Sequence, residues 1–314
     1  MKKQLLIAAV AATMASASMA DISIAGAAKV NYTTVDFDGT TASTNNFKKE
    51  MDLKITGKTG DTTIVMNFGD LDNTGDSADL EDAYVSTSIS GVSIKSGQWD
   101  NGNNELRSST RGDNKLSAST TMGGVTITYD ASSTSGDVSD TTKISGDIAG
   151  VSASYKSVDN GEDISLATTV SGVKVSYLAL NRDAANEDRS VVTISGEVSG
   201  LGIKVAQADA DSSATISGDS WMGDYEGNTS GAYNLSDGQD VTAIELSTSI
   251  AGNSVKFRNV DVDGVSGEDM SFNKVIITRP LANGTTFEAT YTDLDDSVAA
   301  NDSQTLDLEL AVKF

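Results

Sequence analysis

The chain has no cysteine and no histidine. Without cysteine there are no disulfides and no thiolate metal sites. Without histidine the commonest general base and the commonest zinc ligand are gone. Ser-His and other His-based mechanisms are thereby excluded. A carboxylate pair can hydrolyse glycosides, but nothing here singles out such a pair, so no enzyme is expected. Proline is nearly absent too. Pro280 stands alone, as suits a chain that is mostly sheet, because proline cannot donate to a ladder. Beyond residues 1–20 no stretch approaches the ~20 apolar residues of a membrane helix. If the chain enters a bilayer, it must do so as a closed barrel, the other fold that satisfies every backbone hydrogen bond in lipid.

Residues 1–20 have the layout of a cleaved signal peptide. Lys2 and Lys3 form a positive start, residues 5–12 a short apolar core, and Ser18-Met19-Ala20 a small-x-small cleavage site. The core is too short to span a bilayer. Export is expected, with residues 21–314 as one mature domain. Of 22 Lys and Arg, removal of the two signal lysines leaves 20 against 45 Asp and Glu, net −25. Such a surface repels nucleic acid and attracts cations. A disordered acidic chain would share this charge, but not the regular alternation that follows.

Leu306, Leu308, Leu310, Val312 and Phe314 alternate with Asp307, Glu309, Ala311 and Lys313. Side chains on a strand point alternately to opposite faces, so this segment is a strand with one apolar and one polar face. Residues 21–36 and 47–57 alternate likewise. In the first, Ile22, Ile24, Val30 and Tyr32 oppose Ser23, Lys29 and Asn31; in the second, Met51, Leu53 and Ile55 oppose Glu50, Asp52 and Lys54. Glycine-bearing tight turns punctuate the chain at 59–61, 90–91, 123–124, 149–150, 171–172, 199–200, 251–252 and 283–284. Polar loops lie between them, the longest at 210–239.

Short turns alternating with longer loops on ~10-residue strands are the signature of a transmembrane barrel with its apolar row to lipid and its polar row to a wet lumen. Eight turns imply 18 strands, or 16 if the weak hairpin at 115–131 merges. A β-solenoid would need a fixed short period, and a sandwich would need more bulky residues facing inward. Aromatics number only two Trp, eight Tyr and seven Phe. Even so, Tyr129, Tyr155 and Tyr177 share one offset after their turns, and Phe257, Phe287, Tyr291 and Phe314 fall on outward rows, enough for a thin interfacial girdle.

Residues 81–98 carry Glu81, Ala83, Tyr84, Val85, Gly91, Gly97 and Gln98 in the order of a hairpin typical of one family. The stretch resembles the signature hairpin of Gram-negative outer-membrane general diffusion porins. An arginine often found beside the second glycine is absent. The resemblance implies a 16-stranded, trimeric, water-filled barrel in the outer membrane. Small hydrophilic solutes and ions would diffuse through it passively, past a third outer loop folded inward. It also makes Phe314 an assembly signal. The competing expectation is a non-conducting structural or adhesive surface protein with acidic loops.

By that resemblance residues 99–114 form the constriction loop, with acids Asp100, Glu105 and Asp113 and bases Arg107 and Arg111; the bland alternative is a solvated outer loop. Strand parity places Lys29, Lys54, Lys95, Lys174, Lys204, Lys256 and Arg258 on the lumen wall. Acids on the loop facing these bases would set a field across the channel. The net charge suggests a mild cation preference, which the inward lysines oppose. Asp70, Asp72 and Glu81, with Gly75 between and Asp76 as a further carboxylate, fit the spacing of a twelve-residue calcium loop. Chance matches are common in so acidic a chain, and the flanks are strands. Structural Ca²⁺ or Mg²⁺ in outer loops is the sole metal expected, and no other cofactor. In the long loop, Trp221, Tyr225 and Tyr233 suggest packing into the channel mouth or against a neighbouring subunit.

Overall fold

The computed structural model describes residues 21–38, 42–69, 71, 79–102, 104–107, 111–134, 137–185, 187–211, 214, 221–222, 239–264, 269–297 and 302–314. The elements are β1 (Asp21–Phe37), β2 (Thr44–Thr59), β3 (Thr62–Gly69), β4 (Asp79–Ile89), β5 (Val92–Asp100), β6 (Arg111–Met122), β7 (Val125–Thr134), β8 (Asp137–Ile148) and β9 (Val151–Val158). They continue with β10 (Gly161–Val170), β11 (Val173–Arg182), β12 (Arg189–Val198), β13 (Leu201–Ala210), β14 (Gln239–Ile250), β15 (Asn253–Gly264), β16 (Met270–Pro280), β17 (Thr285–Asp296) and β18 (Ser303–Lys313). Each strand pairs antiparallel with the next. β1 pairs with β18 from Ala27–Lys313 to Phe37–Ser303, which closes the ring at 18 strands. The 16-strand count implied by the resemblance is corrected: β6 and β7 form a complete hairpin around Gly123-Gly124, so nothing merges.

Chemistry at the short turns explains their regularity. Seven of them hold both central residues at positive φ, as in Ser90 at 52° and Gly91 at 82°. Such type I′ turns match the right-handed twist of the flanking strands. Each leaves a carbonyl at the barrel edge that needs a partner. Three residues before successive turns the outer row carries, alternately, Thr120, Gly146, Thr168, Gly196 and Thr248. The threonine hydroxyls donate to the preceding turn: Thr120 to Gly91 O at 3.2 Å, Thr168 to Gly150 O at 3.0 Å, Thr248 to Gly200 O at 3.1 Å. At Gly146 the fit is tighter: a Cβ there would sit 3.0 Å from Gly124 O, so a larger residue needs the turn to give by a few tenths of an ångström.

The terminal strand behaves as its alternation predicts. Leu306, Leu310 and Phe314 lie exposed on the outer face, while Ser303 and Thr305 are buried on the inner one. Phe314 extends the seam beyond β18. Its carbonyl accepts from Gly26 N at 2.8 Å and its N–H donates to Gly26 O at 3.0 Å. The ring lies on Gly26, where a Cβ would come within 2.5 Å of it.

One expectation fails over half the barrel. From the short-turn end, the outer row of β13 runs Leu201, Ile203, Val205, then switches to Gln207 and Asp209. On β15 Val255 and Phe257 give way to Asn259, Asp261 and Asp263; on β17 Phe287, Ala289 and Tyr291 give way to Asp293 and Asp295. The inner rows switch the other way. Ala206 and Ala208, Val241 and Ala243, and Val260 and Val262 face inward and are at most 2% exposed. The strands on this side therefore have two tiers. Nearer the short turns they are apolar outside and polar inside; toward the loops they are acidic outside and apolar inside. The buried core of the molecule sits in that upper tier, inside the barrel.

Candidate pore constriction

β5 and β6 extend further than the sequence suggests, so the connection between them is 101–110 rather than 99–114. Its turn is tied by Asn104 N to Arg107 O at 2.9 Å, and the Asn104 side chain accepts from Leu106 N at 2.9 Å. This turn folds inward. Leu106 is fully buried and packs in the same cluster as Leu180, Val191, Val241 and Met222. Those residues belong to β11, β12, β14 and the 211–238 connection, so the tip has crossed the lumen. Arg107 reaches Asp163 on β10 at 3.8 Å, and Asp163 in turn pairs with Arg182 of β11 at 2.8 Å. Arg182 also donates to the carbonyls of Glu162 and Asn181. An apolar knob and a charged clamp thus anchor one short loop.

Between this loop and the β6–β11 wall lies a cavity of about 420 Å³. Arg107, Lys115, Lys156 and Arg182 line it, with Asp130, Asp159 and Glu187 as its acids. Lys115 is buried and donates to Trp99 O and Asn101 Oδ1, both at 2.8 Å. Gly112 makes room for it, because a Cβ there would meet the Lys115 stem at 2.2 Å. Lys95 sits 3.8 Å from the ring centre of Tyr84 and 4.3 Å from that of Trp99. Such contacts hold an ammonium without neutralising it.

No protein-family model matches the chain, and neither does any curated protein. Solved structures do. Pseudomonas aeruginosa OpdL is 11% identical, with a TM-score of 0.70 over 94% of this chain and 99% of that one. P. aeruginosa OpdK with vanillate is 12% identical, TM-score 0.66, over 94% and 98%. An anion-selective porin from Comamonas acidovorans is 12% identical, TM-score 0.56, over 94% and 100%. The chain has the porin fold. In this barrel the register puts every wall lysine named from the sequence on the inner face. Lys29 pairs with Glu50 at 2.9 Å, and Arg258 with Glu245 at 2.6 Å. Lys54 and Lys174 are exposed to the lumen, and Lys256 is half-buried. Lys204 lies over the Trp221 ring at 3.9 Å and within electrostatic reach of Glu105.

The remaining residues fall differently. Asp100 ends β5, and its carboxylate accepts from Gly102 N at 2.9 Å, so it shapes the turn. Arg111 and Asp113 belong to β6, where Arg111 pairs in register with Asp100. The expected separation of acidic loop and basic wall is replaced by a mixture: Glu105 faces a lysine, but Arg107 meets a wall aspartate. Asp70, Asp72 and Asp76 lie outside the described residues, as do Tyr225, Tyr233 and residues 1–20. Glu81 is engaged by Asn67 Nδ2 at 2.7 Å. Among the described residues no three metal-ligating side chains converge. The sequence reading missed Lys115, Lys156, Asp163 and Arg182. Parity alone places Lys156 inward, opposite Tyr155, whereas Arg182 lies at the very end of β11, where polar sequence carries no strand signal.

Proposed function

We propose that this protein is an outer-membrane porin through which small hydrophilic solutes and ions diffuse passively. The observation that carries it is the closed ring of strands with an apolar outer band and, inside, a cavity lined by charged side chains beside an inward loop. The similarity to OpdL, OpdK and the Comamonas porin supports the same reading. A homotrimer exported by the 1–20 signal is part of the proposal and rests on the resemblance of residues 81–98 and on the signal layout.

Selectivity follows from two opposed fields. The acidic exterior and loops concentrate cations at the mouth, but that field is screened beyond about 10 Å at 0.1 M salt. Arg107, Lys115, Lys156 and Arg182 act on an ion inside the cavity, at short range and in a lower dielectric. We therefore expect a mild cation preference at low ionic strength that weakens as salt rises. The Comamonas neighbour, anion-selective by name, makes anion preference the second reading. Reversal potentials of the purified protein across graded salt gradients test this. Anion preference at every ionic strength would overturn the cation assignment, and absence of any conductance would overturn the channel.

A further inference from the structure

The lumen is not symmetric, and three independent observations describe the asymmetry. First, the inner wall of the upper tier from β12 to β17 is closely packed and largely apolar, with Thr193, Lys274 and Thr292 buried at its lower edge. Val191, Ala208, Ala243, Val260 and Phe272 are at most 2% exposed. Second, Leu106 from the 101–110 loop and Met222 from the 211–238 connection are fully buried in this same surface. Third, the connections differ in length: β7–β8 and β9–β10 are joined by two residues each, whereas β13 and β14 are joined by residues 211–238. Inward-facing residues of β7–β9 beside the cavity are polar, among them Ser132, Ser139 and Lys156.

We infer that permeation is eccentric. Solutes pass between the 101–110 loop and the β6–β10 wall, bordered by Arg182 at the end of β11, while the upper tier from Leu180 of β11 round to β17 is a closed core sealed by Leu106 and Met222. Leu106 is then a positioning residue. It touches no solute, but it holds the partition between a wet lane and a closed one. The physical logic is that of a buried knob in a protein interior. An apolar side chain in a close-packed apolar socket excludes water, and an apolar cavity of this kind stays dry where a polar one hydrates. The solutes that reach the constriction would meet Trp99, Arg107, Lys115, Lys156 and Arg182 and would not meet Val241, Val260 or Phe272. Any solute selectivity is therefore written on five or six strands rather than on the whole circumference. This inference rests on the channel reading for its word "permeation", but its partition can be tested without any current.

The chain lacks cysteine, so single cysteines report cleanly. Ser132→Cys, Ser139→Cys, Ala208→Cys and Ala243→Cys proteins, each shown to be folded by heat-modifiable gel mobility, are treated with a small charged methanethiosulfonate and followed by intact mass. Ser132→Cys and Ser139→Cys should react quickly. Ala208→Cys and Ala243→Cys should react at least about tenfold more slowly, because reaction there waits for local opening. Adding Leu106→Asp to Ala243→Cys should abolish the protection, and the milder Leu106→Ala should reduce it if the aspartate variant fails to fold. Equal rates at all four positions, or an unreactive Ser139→Cys, would overturn the partition. Protection at Ala243→Cys that survives both Leu106 changes would remove Leu106 from its role. A partition that holds in a protein that never conducts would instead overturn the channel reading alone.

Discussion

The two inner walls of this barrel are built from the same strand geometry and do opposite things. On β6–β9 the inward row of the upper tier is Lys115, Ser132, Ser139 and Lys156, polar and lining a cavity. At similar height on β13–β16 it is Ala208, Val241, Val262 and Met270, dry and closed. The difference teaches that the parity rule fixes which face a residue occupies, not what that face touches. What it touches depends on where long connections fold. An apolar inner row is stable only if chain covers it, and the inward loop supplies Leu106 as part of that cover.

The largest expected effect contrasts the two walls directly. Phe272→Asp puts an unpaired carboxylate into the packed wall and should cost at least about 3 kcal/mol; Ser139→Asp should leave stability almost unchanged and alter only ion preference. Urea unfolding in detergent or lipid, beside reversal potentials, separates the two. The outer face gives a second contrast, at the switch between tiers. Val205→Arg on β13 should cost about 2–4 kcal/mol if that position faces the bilayer midplane, and Gln207→Arg, one step nearer the loops, should fall toward the 0–1 kcal/mol range of the interface. Similar costs at both positions would move the membrane boundary.

The clamp comes next. Asp163→Asn removes the charged partner of Arg107 and Arg182, and hydrogen bonds to charged groups are worth about 1.5–3 kcal/mol. The loop tip would then be held by Leu106 alone, and open-channel current noise should rise while the barrel remains folded. Unchanged noise would mean that the apolar knob suffices. The smallest effect belongs to the turn threonines. Thr120→Val, Thr168→Val and Thr248→Val should each cost about 0.5–1.5 kcal/mol, and the converse Gly146→Thr should also destabilise, because its Cβ would press on Gly124 O at 3.0 Å.

Much of the fold was legible because its signals are local. Positive-φ turn residues sit at fixed points, strand parity has period two, and eight short turns dictate the strand count. The terminal row from Leu306 to Phe314 was read on the correct face for the same reason. The loop bounds were not, because β5 and β6 continue pairing through Asp100 and Arg111, and paired polar residues look like loop in sequence. The inverted upper tier was hidden for a related reason. Val260 and Val262 continue the alternation of Val255 and Phe257 only after a change of face, and Arg258 and Asn259 between them mask the shift. The clamp was invisible, because Arg107 and Asp163 are brought together only by closure of the ring.

Current through single channels tests the whole account most directly. Purified Ser139→Cys and Ala243→Cys proteins, each in a planar bilayer, should both give discrete conductance steps. A charged methanethiosulfonate added to the bath should cut the current of Ser139→Cys and leave that of Ala243→Cys unchanged. Block at Ala243→Cys without block at Ser139→Cys would place the path on the opposite wall, and folded protein that gives no steps at all would contradict the channel itself.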